Sequence, residues 1–206
     1  MSPKTKKYIS IGIAVALTVT AILVFVYRRK PKAKKVLAIG DSNTVASFSY
    51  VDKLRRLYPS LEIKKIAKNG ANTNWMLEQL RSELKSNKYD LVIVLGGSND
   101  VYGGLSLETT QKNMLSMNSL IKSIGARSLF ISPPSKQFYT AKSESLNKKL
   151  EDLVRWMKVQ EFSVFIDWNN ITNVKELFSA SDKYLHPQSM PRNNPIISNL
   201  FFIRMK

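Results

Sequence analysis

From Val36 onward the chain alternates short apolar runs rich in β-branched residues with longer stretches whose apolar residues recur at helical spacing. This alternation is the feature that most narrows the fold. The short runs are Val36–Ile39, Leu61–Ile66, Leu91–Leu95, Ser128–Ser132 and Val164–Ile166. Each reads as nearly continuous in hydrophobicity, as strands do when helices cover both faces of a parallel sheet. Between them, Val51–Tyr58, Trp75–Lys85, Leu107–Ile124 and Ser143–Val159 read as helices, the last with Leu146, Leu150, Leu153, Val154 and Met157 along one stripe. The expected class is α/β: a three-layer α/β/α sandwich around a five-stranded parallel sheet, over residues 36–206. The Leu, Met and Trp residues of the helices are expected in its core. Open sheets of this kind bind ligands beyond the carboxyl ends of their strands, near the point where strand order reverses. Functional residues are therefore sought in the loops that follow strands.

A different pattern precedes this domain. Tyr8 to Tyr27 reads YISIGIAVALTVTAILVFVY, without a charge. About 20 helical residues match a hydrocarbon core of ~30 Å. Tyr8 and Tyr27 bracket the run as interfacial aromatics, with Lys4, Lys6 and Lys7 before it and Arg28, Arg29, Lys30, Lys32, Lys34 and Lys35 after it. The run is longer than the apolar part of a usual signal peptide and lacks a small-x-small cleavage site at its end. The reading is a basic tail (1–7), a single transmembrane helix (8–27) that places the chain in a lipid bilayer, and a basic stalk (28–35) able to lie on anionic lipid headgroups. Six basic residues after the span against three and the amino terminus before it lean toward a cytoplasmic domain by a margin too narrow to decide the face, and a cell envelope and a virion membrane both stay open.

The location of the charge also decides how the formal +17 is read. Nine basic residues and no acidic ones fall in the first 35 positions, and the rest is spread along helices. Membrane-surface attraction and solvated faces account for this pattern, and no specific nucleic-acid partner is expected. With no cysteine and one histidine, thiol nucleophiles, disulfides and multi-histidine metal centres are excluded. The expected chemistry needs no cofactor and no metal.

Four polar segments follow strands. Gly40-Asp41-Ser42-Asn43 comes directly after the first strand and puts a hydroxyl on a strand-to-helix turn, although such a tripeptide also serves as an ordinary helix cap. Lys68-Asn69-Gly70-Ala71-Asn72 follows the second strand, where Gly70 lets a backbone N–H approach a ligand. Gly96-Gly97-Ser98-Asn99-Asp100 ends the third and offers an amide donor; it lacks the Lys-Ser/Thr of a phosphate loop. Ser181 to Pro187, past the fifth strand, supplies Asp182 and His186, the one imidazole in the chain. A serine is a weak nucleophile until a base takes its proton, and the base works best when a third group fixes its tautomer.

In these blocks the chain resembles the SGNH hydrolases, or GDSL-type esterases and lipases: G-D-S-N-T at 40–44, N-G at 69–70, G-x-N-D at 97–100, and D…H-P at 182–187. The resemblance runs over about residues 35 to 187 and implies the flavodoxin-like SGNH fold and an ester substrate. It implies that Ser42 attacks the ester carbonyl, that His186 is general base and then acid, and that the Ser42 and Gly70 backbone N–H groups with the Asn99 amide form the oxyanion hole. Relatives carry the aspartate three residues before the histidine; here that position is Lys183, and Asp182 lies four before. Either Asp182, across a one-residue insertion, or another group such as a backbone carbonyl orients His186. Pro187, Pro191 and Pro195 interrupt the region where relatives run a closing helix.

The expected function is a membrane-anchored serine esterase acting on a lipid, acetylated-glycan or small acyl ester through an acyl-enzyme on Ser42. The alternatives are a catalytically silent SGNH-like binding or structural module, a nucleotide- or phosphate-binding flavodoxin-like domain, and a membrane-attached nucleic-acid binder.

Overall fold

The computed structural model describes residues 34–46, 49–133 and 141–167, with the side chains of residues 141–143 excepted. The span at 8–27, the stalk at 28–35 apart from Lys34 and Lys35, and Asp182 and His186 lie outside these residues. Among the described residues no helix is long and apolar enough to cross a membrane.

The order of elements is β1 (Lys35–Gly40), α1 (Ser42–Val45), α2 (Tyr50–Leu57), β2 (Glu62–Ala67), α3 (Thr73–Ser86), β3 (Leu91–Leu95), α4 (Ser98–Tyr102), α5 (Leu107–Ser123), β4 (Arg127–Ile131), α6 (Ala141–Met157) and β5 (Val164–Ile166). All five expected strands are present, β3 and β5 with the expected bounds and the others shifted by one residue at their ends. They form one sheet in the order β2-β1-β3-β4-β5. Every pairing is parallel, with Gly40 opposite Ala67 on one side and Leu95 on the other. The chain therefore reverses direction across the sheet between β1 and β3, and the carboxyl ends of these two strands flank the switch point.

Alternation along the strands feeds two cores. Leu37, Ile39, Val92, Val94 and Phe130 pack with Met76, Leu77 and Leu80 of α3, Met114, Met117 and Ile121 of α5, and Leu153 and Met157 of α6. The intervening residues, among them Val36, Ala38, Ile93 and Leu129, are equally buried and face the opposite side. Right-handed crossovers put α2 on that side, because β1 to β2 is the one described connection that runs against the others. Its Tyr50, Val51 and Leu54 are fully buried.

β2 corrects one expectation. Its six positions are exposed or half-buried, none fully buried, and Lys64 and Lys65 interrupt the apolar run. It is an edge strand, and Lys64 and Lys65 sit on it, Lys64 paired with Glu83 at 2.8 Å. Charged residues at an edge deter further strand pairing. The two short helices α1 and α4 also escaped the periodicity, since four- and five-residue helices complete too few turns to show one.

At the amino end of the sheet the chain enters through Lys34 and Lys35, whose backbone N–H groups both donate to Asp90 Oδ2 at 2.9 Å. Ser42 begins past the far end of the same strand.

Candidate active site

Ser42 is the first residue of α1 and is half-buried. The turn that carries it is held from both sides. Asp41 Oδ1 accepts the Asn43 backbone N–H at 2.9 Å and the Asn43 side-chain amide at 3.2 Å. The Asp41 carbonyl accepts the N–H groups of Thr44 and Val45 at 2.9 and 3.0 Å. The helix-cap reading of this segment holds: the Asp41 cap sets the backbone on which Ser42 stands. Behind it, Thr44 Oγ1 lies 3.4 Å from the Tyr50 hydroxyl, and burial pushes that phenol above its ordinary pKa, so it stays neutral. Gly40 is required at the strand end because a Cβ there would fall 2.1 Å from Thr44 Oγ1 and 2.8 Å from the Leu95 carbonyl oxygen.

The loop after β2 is tied to the same strand end: Lys68 N–H donates to the Gly40 carbonyl at 3.3 Å. Ala71 N–H closes back on the Lys68 carbonyl at 3.1 Å. Gly70 occupies the third position of this turn with φ +72°, the left-handed conformation that favours glycine there. Gly70 is exposed and Ala71 is buried. Asn72 then caps α3, its Oδ1 accepting the Trp75 N–H at 3.1 Å.

From the loop after β3, Asn99 Nδ2 donates to the Ala71 carbonyl at 2.9 Å. An amide nitrogen carries two hydrogens, and this bond uses one of them. The three expected site residues within the described residues, Ser42, Gly70 and Asn99, thus come from three strand ends on one edge of the sheet, joined by the Lys68–Gly40 and Asn99–Ala71 hydrogen bonds.

Two carboxylates at this edge were not singled out from the sequence. Asp100, next to Asn99, is wholly buried and accepts the Thr73 N–H at 3.0 Å. Asp167, directly after β5, pairs with Lys158 at 2.7 Å and accepts from Ser132 Oγ at 3.2 Å. The adjacency of Asp100 to Asn99 was a visible signal, but its burial was not. Among the described residues no group of three or more His, Cys, Asp or Glu side chains stands together to hold a metal ion.

The model of the GDSL-like lipase/acylhydrolase family matches residues 38–189. The chain belongs to this family. Its members are hydrolases acting on esters, and the chain is a GDSL-type hydrolase. No curated protein matches it. Solved structures of esterases and a lipase are similar in fold. An acetyl-xylooligosaccharide esterase from Geobacillus is 19% identical with a TM-score of 0.62, over 84% of this chain and 94% of that one. A lipase from a goat rumen metagenome is 19% identical with a TM-score of 0.60, over 83% and 97%. The psychrotrophic esterase EstA from Pseudoalteromonas, in a structure inhibited by monoethylphosphonate, is 15% identical with a TM-score of 0.57, over 82% and 94%. The family match runs from before Gly40 to beyond Pro187, so the segments at 40–44, 69–70, 97–100 and 182–187 all fall within it.

Proposed function

We propose that the chain is a membrane-tethered serine esterase in which Ser42 is the nucleophile and His186 its base. Ser42 attacks the ester carbonyl while His186 takes its proton. The Ser42 and Gly70 N–H groups and the Asn99 amide stabilise the oxyanion, and the alcohol leaves with the proton returned by imidazolium. Water, deprotonated by His186, then hydrolyses the acyl-enzyme. Asp182 orients the imidazole. The observation that carries this reading is the convergence of Ser42 and Asn99 at the β1/β3 switch point, with Asn99 bonded to the turn that holds Gly70.

The substrate class is a carboxylic ester of a lipid, an acetylated glycan or a small acyl group. The esterase from Geobacillus, named for acetyl-xylooligosaccharides, supports including acetylated sugars. Residues 8–27 anchor the chain in the bilayer, and the basic stalk at 28–35 attracts anionic headgroups.

Incubation of the full chain, in detergent, with a fluorophosphonate and mapping of the adduct by mass spectrometry tests the nucleophile. Modification at Ser42 is expected; an unmodified Ser42 in folded protein overturns the assignment. Membrane fractionation of the full chain against one starting at Val36 tests the anchor, with the shorter chain expected to leave the pellet.

A further inference from the structure

Asp100 is a carboxylate without exposed surface, placed among neutral donors. Both of its oxygens accept the Thr73 backbone N–H at 3.0 Å. Oδ1 also accepts the Thr73 hydroxyl, and that of Thr110 at 3.4 Å. Among the described residues no basic side chain forms an ion pair with it. Burial raises its pKa, while the bonds from Thr73 and Thr110 pull the other way.

Burying a carboxylate without a cation is costly, and an apolar side chain would fill the space at lower cost. What an apolar side chain lacks is direction. Thr73 begins α3, so its N–H is one of the donors that a helix leaves without an internal acceptor. Asp100 supplies that acceptor from α4. One residue earlier Asn99 reaches Ala71, which lies two residues before Thr73. The two bonds form parallel rungs between the loop after β2 and the loop after β3. Asn113 of α5 braces them by donating to Thr73 Oγ1 at 2.9 Å and to Asn74 Oδ1 at 2.7 Å.

We propose that Asp100 is a positioning residue of the oxyanion hole: its carboxylate locks the turn that carries Gly70 against the helix that carries Asn99, and so fixes the spacing of the two donors. This rests on Gly70 and Asn99 being those donors. Asp100 touches no reacting atom and acts through Asn99 and the Gly70 turn. Displacing catalytic groups by about 1 Å costs on the order of 100-fold in rate, which sets the scale of the effect.

The test is a double-mutant cycle on the full chain in detergent, with p-nitrophenyl acetate as substrate, turnover referred to folded protein, and thermal unfolding followed in parallel. Asp100→Ala is expected to lower kcat about 10- to 100-fold with KM within about twofold. Asp100→Asn keeps an acceptor for the Thr73 N–H and is expected to recover most of the loss. On an Asn99→Ala background, Asp100→Ala should cost less than about threefold more, because the donor it positions is already absent. Equal losses with and without Asn99, or a lowered unfolding temperature with unchanged kcat, overturn the proposal. Should Asp100→Ala fail to fold, Thr73→Ala, which removes the hydroxyl that bonds Asp100 Oδ1 and Asn113, carries the same comparison. An Asn99→Ala variant with normal kcat overturns the donor reading and this proposal with it. An impaired Asn99→Ala beside a normal Asp100→Ala overturns the positioning role alone.

Discussion

Asn99 Nδ2 and the carbonyl of Ala71, 28 positions apart in the chain, are joined by a 2.9 Å hydrogen bond. This bond fixes the amide against the turn that carries Gly70 and ties that turn to α4. An amide held in this way needs no reorganisation when charge develops on a carbonyl oxygen beside it.

Asn99→Ala should lower kcat by about 100- to 1000-fold with little change in KM, because a preorganised donor acts mainly on the transition state. Steady-state hydrolysis of p-nitrophenyl acetate by the full chain measures both constants. A change confined to KM would assign Asn99 to substrate binding instead.

Ser42→Ala and His186→Ala should each abolish turnover to a similar residual level, and the double variant should be no slower than either. Groups that work as one unit are lost together. Additive losses in the same assay would separate their roles.

Gly40→Ala should destabilise the domain by about 1–3 kcal/mol and impair Ser42 beyond that loss. The added methyl would meet Thr44 Oγ1 at 2.1 Å and the backbone oxygen of Leu95 at 2.8 Å. Leu95 lies in a central strand and cannot retreat, so the turn bearing Ser42 shifts. Thermal unfolding together with the rate of fluorophosphonate labelling checks this, with labelling expected to slow even in fully folded protein.

Asp90→Asn should weaken the entrance to β1. The Lys35 and Lys34 backbone N–H groups hold the Asp90 carboxyl below its ordinary value of 3.8. A depressed folded pKa means that stability is present above the unfolded value and lost as pH falls through the folded one. The variant should therefore be less stable than the parent at pH 7, by about 1 kcal/mol or less given the exposure of Asp90, and the difference should close below the folded pKa. Chemical denaturation across this range measures it.

What the sequence determined by itself was whatever repeats over a few neighbouring residues. Apolar runs and helical stripes marked five strands and four long helices, and the polar segments after the strands marked Ser42, Gly70 and Asn99. Short-range patterns carry this information because side-chain periodicity is a local property of strands and helices. Only the tertiary structure decided the strand order, which turned β2 into a charged edge and placed β1 beside β3. It also decided that Asp100 meets Thr73, and Asn99 meets Ala71, across 27 and 28 positions. No local pattern encodes such pairs, because they form only when the crossovers bring separate strand ends to one edge of the sheet.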